Sequence, residues 1–211
     1  MRQLLILAAV LSVTTVRAET YEIDPAHSEV GFKVKHLVGR VPGRFTSFSG
    51  TIDYVPGKPE SWKVTAKIDP ASINTSNEKR DGHLKSPDFF DVAKCPEMAF
   101  KSTKVSDVKD GTATLTGDLT MHCITKPVTL ALEIGGTTKD PWGNEKAGFS
   151  AKGKLNRKDW DIVWNKTLDS GGLMLGEDID LSIEVESQVP AADKGAKKVA
   201  PKAAKETKAK K

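Results

Sequence analysis

Ile179-Asp180-Leu181-Ser182-Ile183-Glu184-Val185-Glu186 places an apolar residue at every second position and a polar one between. Strand side chains point alternately to the two faces of a sheet, so this stretch reads as a strand with one dry face and one wet face. The same period recurs upstream. Val30, Phe32, Val34 and His36 alternate with charged residues and Gly31, and Trp62, Val64, Ala66 and Ile68 alternate with Lys and Thr. Val128, Leu130, Leu132 and Ile134 form another set, as do Ala147, Phe149, Ala151 and Leu155. Shorter runs cover 48–53, 98–104 and 113–121. This predicts about eight strands joined by turn-rich segments such as Val55-Pro56-Gly57-Lys58, Lys109-Asp110-Gly111 and Gly135-Gly136. No long amphipathic helix separates them, so parallel crossovers are excluded and the sheet should be antiparallel. Eight strands with one covered face each can close into a barrel or fold into a sandwich.

The chain has 211 residues, of which 38% are hydrophobic and 28% charged, which suits one compact domain with extensions. Two cysteines exclude a disulfide-dense miniprotein and a four-thiolate zinc site. The ends differ from the middle. Residues 1–18 carry Arg2, an apolar run from Leu4 to Val13 and Val16-Arg17-Ala18, the pattern of a signal peptide cleaved after Ala18. Residues 190–211 hold eight Lys among Ala, Pro and Gly, which predicts a disordered basic tail able to meet an anionic membrane surface. The expected folded domain, 19–189, holds 22 basic and 26 acidic side chains, a net −4. The basic pI therefore belongs to the tail, and a nucleic-acid role for the domain loses its support.

One segment breaks the strand rhythm. In Asn74-Thr75-Ser76-Asn77-Glu78-Lys79-Arg80-Asp81-Gly82-His83-Leu84, Thr75 and Glu78 match a capping box, and Ser86-Pro87 would end the turn. A short helix followed by Phe89-Phe90 predicts a lid over one end of a barrel. Arg80, Asp81 and His83 could form a polar clamp or an acid/base set, or simply pin the loop. The four His show no metal-ligand spacing, and neither a Gly-x-Ser-x-Gly elbow nor a phosphate loop is present, so no metal, cofactor or catalytic residue is assigned. Cys95 and Cys123 fall opposite each other if the hairpin is centred near Lys109. They are candidates for a disulfide, against two buried thiols.

Several stretches together resemble the YceI-like family of bacterial secreted proteins. They run from Tyr21-Glu22-Ile23-Asp24-Pro25-Ala26-His27-Ser28 through Gly43-Arg44-Phe45, Phe48-Ser49-Gly50, Ala71-Ser72-Ile73-Asn74-Thr75, Arg80-Asp81-Gly82-His83-Leu84 and Asp88-Phe89-Phe90-Asp91-Val92. Gly117-Asp118-Leu119-Thr120, Thr125-Lys126-Pro127-Val128 and Leu155-Asn156-Arg157-Lys158-Asp159 follow. The resemblance implies an all-β, antiparallel lipocalin-like β-barrel, located in the periplasm, that holds an isoprenoid or other long-chain lipid, and it brings no established catalytic residues. Two positions depart from the pattern: Cys123 stands where Gly is usual, and Trp160-Asp161 where Phe-Gly is preferred. The expected lining of such a cavity is Phe32, Val34, Phe45, Ile68, Phe89, Phe90, Phe100, Leu119, Leu132, Phe149 and Trp164, with Arg44, Arg80 and His83 at its mouth. A carrier of a quinone or prenyl phosphate is the leading expectation. An enzyme acting on such a lipid through Arg80, Asp81 and His83, or a ligand-free interaction module, are the alternatives. The oligomeric state stays open, a dimer included.

Overall fold

The computed structural model describes residues 19–169 and 171–190. The expected signal peptide (1–18) and the expected tail beyond Pro190 lie outside the described residues. The strands are β1 (Glu19–Ile23), β2 (Glu29–His36), β3 (Gly39–Phe45), β4 (Phe48–Tyr54), β5 (Lys63–Ile68), β6 (Ile73–Asn74), β7 (Met98–Lys109), β8 (Thr112–Met121), β9 (Ile124–Lys139), β10 (Glu145–Asn156) and β11 (Leu175–Gln188). One helix, α1, spans Glu78–Leu84.

All pairings among the described strands are antiparallel, and the order β1-β4-β5-β7-β8-β9-β10-β11 closes on itself because β1 also pairs with β11. The closing contact is short: Glu22 faces Gln188 and Ile23 faces Ser187. It decides between barrel and sandwich in favour of an eight-stranded barrel, with three further strands outside the ring. Eight strands were expected, but the set differs. The ring uses β1, which carries no clear alternation, and leaves out β2. A single turn of 3-10 helix, Pro25–His27, interrupts the chain after β1, and β2 then continues along β11. Beyond it, β3 and the two-residue β6 extend the wall.

Residues at odd and even positions separate as the alternation requires. In β8, Ala113, Leu115, Leu119 and Met121 are buried, while Asp118 is exposed. Two glycines let aromatic rings lie flat on the wall. A Cβ on Gly43 would sit 2.3 Å from the Phe32 ring, and one on Gly117 would sit 2.4 Å from the Phe100 ring. Only a residue without a side chain permits that approach.

The two ends of the barrel differ. At one end Tyr54 packs against Tyr21, Trp62 and Phe149, with ring centroids 6.4, 4.8 and 5.3 Å away. The indole of Trp62 donates to the Val55 carbonyl at 2.6 Å, which satisfies its one buried donor. This end is sealed by side chains. At the other end lie the β2–β3 turn, the β8–β9 turn, α1 and the segment from Arg157 to Met174.

The helix starts two residues beyond the expected cap. Asn77, not Thr75, is the N-cap, and its side chain accepts from the Arg80 N–H at 3.0 Å. Thr75 instead donates both its N–H (2.9 Å) and its hydroxyl (2.5 Å) to Asp81 Oδ1. Cys95 and Cys123 are bonded, with Cα atoms 5.4 Å apart. Strand register did not bring them together. β7 and β8 slip between Ser102 and Lys104 and again between Ser106 and Lys109, so Ala99 faces Thr120. That register is one residue off the opposition of 95 to 123. Both cysteines lie in turns, Cys95 after the lid and Cys123 between β8 and β9.

Candidate functional site: an apolar chamber with one polar end

The inward faces of the strands do not meet. They enclose a cavity of about 470 Å³, within the size range of small-molecule sites. All eleven apolar candidates line it: Phe32, Val34, Phe45, Ile68, Phe89, Phe90, Phe100, Leu119, Leu132, Phe149 and Trp164. Sequence alternation put those in strands on the inner face, Phe89, Phe90 and Trp164 reach it from loops, and closure of the barrel left that face partly unfilled. The alternation also implied Leu115, Leu130, Val64 and Ile183, which line the cavity too. Met174, Ile162 and Arg157 line it from outside the regular strands and carried no periodic signal.

The polar lining residues gather at the lid end. Arg80 and His83 are there, as expected, together with Thr75, Lys79, His36 and Arg157. Arg44 is not. It pairs with Gly31 and Asn74 across β3, and since its neighbour Phe45 points inward, strand alternation turns Arg44 to the exposed outer face.

The lid residues hold one another. The Arg80 guanidinium donates from Nε to the Thr75 hydroxyl and from Nη2 to the Thr75 carbonyl, both at 2.7 Å. His83 meets Asp88 Oδ2 at 2.7 Å through Nε2. Its ring stands edge-on to Phe89 and Trp164, with centroids 5.0 and 4.8 Å away. Phe90 packs edge-on to Phe45 at 5.7 Å, so the two phenylalanines after α1 plug the mouth. Arg80 and Asp81 are joined through Thr75, while His83 is oriented by Asp88. This is the loop-pinning arrangement, and the three residues do not converge as an acid/base unit.

Arg157 is the residue that sequence reading passed over. It is 3% exposed. Its Nε donates to the Gly176 carbonyl at 3.0 Å and its Nη1 to the Ile162 carbonyl at 2.6 Å. Its Nη2 is the one buried side-chain nitrogen or oxygen among the described residues that has no partner. Burial pushes the guanidinium below its ordinary value, and the charge of Glu177 opposes that. The side chain braces the segment before β11 against the cavity wall.

The two departures from the family pattern have a common geometry. Cys123 (φ 60°) and Asp161 (φ 58°) both adopt the left-handed conformation, in which glycine carries no Cβ penalty. In place of glycine's freedom, Cys123 supplies a cross-link, and the backbone at Asp161 closes the turn that seats the fully buried Trp160.

Away from the chamber, Asp24, His27 and Glu186 bring ligand atoms within 4.8 Å of one another. The ammonium of Lys146 reaches both carboxylates, at 3.5 Å from Asp24 and 2.9 Å from Glu186. The cluster is thus an ion network that fastens the 3-10 turn to β10 and β11.

The protein is a closed antiparallel barrel around an apolar chamber whose basic groups gather at one end. The chain belongs to the YceI-like domain family, whose model matches residues 21–187. A UPF0312 protein of Pseudomonas putida is 40% identical over 179 residues, covering 83% of this chain and 91% of the relative. The crystal structure of a Campylobacter jejuni YCEI protein shares 39% identity and a TM-score of 0.63 over 78% of this chain and 95% of that one. A polyisoprenoid-binding domain from Saccharophagus degradans has the same fold, with a TM-score of 0.60 at 14% identity over 81% of this chain and 98% of that one.

Proposed function

We propose that the protein is a carrier that binds one long-chain isoprenoid lipid, a quinone or a prenyl phosphate, in the barrel chamber. The observation that carries this reading is the asymmetry of the lining. The chamber wall is hydrocarbon and aromatic from the Tyr54–Trp62 end to the lid, and its basic and imidazole groups, His36, Lys79, Arg80, His83 and Arg157, lie only at the lid end. An apolar chain of which each buried CH₂ contributes about 0.8 kcal/mol would be held by the wall, with its polar head left at the lid. The name of the Saccharophagus degradans neighbour supports the isoprenoid class. The segment 1–18 supports export, and the periplasm is the proposed location. The basic tail is a further candidate for contact with polyanions, since the domain as a whole is mildly acidic.

Native mass spectrometry of the protein purified from its own cells, followed by organic extraction, tests the reading. Isoprenoid mass at one chain per protein supports it. A protein that arrives empty and also refuses added quinones and prenyl phosphates overturns it.

A further inference from the structure

We propose that the rim of the barrel mouth docks onto an anionic bilayer surface, so that the chamber opens toward the membrane from which its ligand comes; this rests on the lipid-binding reading above. Three chain segments carry the inference. In each, an exposed apolar residue adjoins a residue that lines the chamber. Leu37 and Val38 follow His36, Val163 lies between Ile162 and Trp164, and Leu173 precedes Met174. Val38 is fully exposed, and Leu37, Val163 and Leu173 keep 44%, 56% and 49% of their surface in water. The points share a frame: the Leu37 N–H donates to the Met174 carbonyl at 2.9 Å, and the Met174 N–H to the Lys166 carbonyl at 2.9 Å.

The turn itself runs against local preference. Leu37 and Val38 are the whole connection between β2 and β3. Leu37 has φ 51°, a conformation that two-residue hairpins give to Gly, Asn or Asp. A sequence serving only the hairpin would place polar turn formers here. Two apolar residues, one of them strained and one fully exposed, break that rule at the mouth of the chamber, where a rule broken without structural gain marks function.

Charge selects the partner. The hairpin from Lys33 to Val41 contains Lys33, Lys35 and Arg40 and no acidic residue. Lys79 and Lys166, both exposed, add to the rim. Arg40 is paired with Asp180, while Lys33, Lys35, Lys79 and Lys166 form no ion pair among the described residues. Asp159, Asp161 and Asp169 are the exposed acids between Arg157 and β11, so the cationic character of the rim rests on the β2–β3 hairpin and Lys79. The hairpin is thus locally cationic in a domain of net −4. An apolar tip flanked by lysines, whose stems lie along the acyl boundary while their heads meet phosphates, is the composition of an interfacial anchor.

The test uses the full chain, whose two native cysteines are bonded. An environment-sensitive dye is attached to Val38→Cys at the mouth or to Trp142→Cys, an exposed residue on the β9–β10 turn at the sealed end. Each is titrated with phosphatidylcholine vesicles with and without phosphatidylglycerol. The expected result is a blue shift at position 38 with the anionic vesicles, none at 142, and an apparent affinity about tenfold weaker when Leu173→Asp is added. No shift at 38, or an equal shift at both positions, overturns the proposal. Farnesol binding, followed without vesicles, separates the two readings. Loss of farnesol binding in the unmodified protein counts against the chamber, whereas the dye at position 38 reports only on the rim.

Discussion

Reducing the Cys95–Cys123 disulfide should cost about 3.5 kcal/mol, and the figure follows from the chain alone. The bond closes a loop with a sequence separation of 28. The chain-entropy relation for a loop of that size gives roughly 12 cal/mol/K, or ~3.5 kcal/mol at 25 °C. For a domain of this size each kcal/mol moves the melting temperature by about 2–4 °C, so reduction should lower it by roughly 7–14 °C. Thermal unfolding with and without dithiothreitol measures this. Replacement distinguishes two effects, because Cys123 sits at φ 60°. Cys95→Ala with Cys123→Gly removes the cross-link but relieves the left-handed strain. It should therefore be about 1 kcal/mol more stable than Cys95→Ala with Cys123→Ala. Reduced and oxidised proteins that melt within 2 °C of each other, as an order-of-magnitude bound, would refute the loop-closure account. Equal stability of the two double variants would refute the strain argument. The bond joins the segment after Phe89 and Phe90 to the β8–β9 turn, so its loss should also loosen the plug over the chamber.

Three further outcomes are expected. Ala151→Phe, which projects a ring into the chamber from β10, should abolish lipid loading at a stability cost of about 1–3 kcal/mol; full loading by extraction assay would show that the ligand lies elsewhere. Trp160→Ala should destabilise by about 3–5 kcal/mol in urea titration, since the ring is 1% exposed and its Nε1–H bonds the Leu119 carbonyl at 3.1 Å. The third outcome concerns acid. The hydrogen bond from His27 and the nearby Lys146 charge hold the Asp24 carboxyl below its ordinary value. Its stabilisation is therefore complete above the ordinary aspartate range near pH 4 and is lost as pH falls through the lowered folded value. Lys146, raised chiefly by its bond to Glu186, keeps its contribution until strongly alkaline pH. Asp24→Asn should flatten the acid limb of a stability–pH profile and leave the neutral plateau close to level with the same variant's own value at pH 6, as a rough reference.

The ion network at Asp24 and the lid at Arg80 illustrate how similar residue sets reach different ends. Both combine carboxylate, cation and histidine groups, and in both a histidine lies within a few residues of a carboxylate in sequence. In the lid, Thr75 stands between Arg80 and Asp81 and takes up their bonding capacity, and His83 turns to Asp88. At the sealed end, Lys146 arrives from β10, far away in sequence, and balances two carboxylates. Composition alone does not separate a pinned loop from a reactive cluster, because the deciding partner is a third residue whose position is tertiary.

What the sequence determined by itself is the set of inward faces. Strand period is two, so Phe32, Val34, Leu119, Leu132 and Phe149 could lie only on the dry side once their strands formed, and every apolar candidate reached the chamber. Arg44 was misplaced for the same reason run backwards: its position beside inward Phe45 already assigned it outward, against the mouth position expected for it. Three things needed the tertiary structure. Closure depends on two residue pairs between β1 and β11, 166 and 164 residues apart in the chain, and local patterning carries no record of such a contact. The disulfide joins two turns, whose relative position follows from bulges that shift register one residue at a time. The chamber exists because eight strands close at a width that the inner side chains present, small Ala66 and Ala151 among them, do not fill, and that width is known only once the ring has closed.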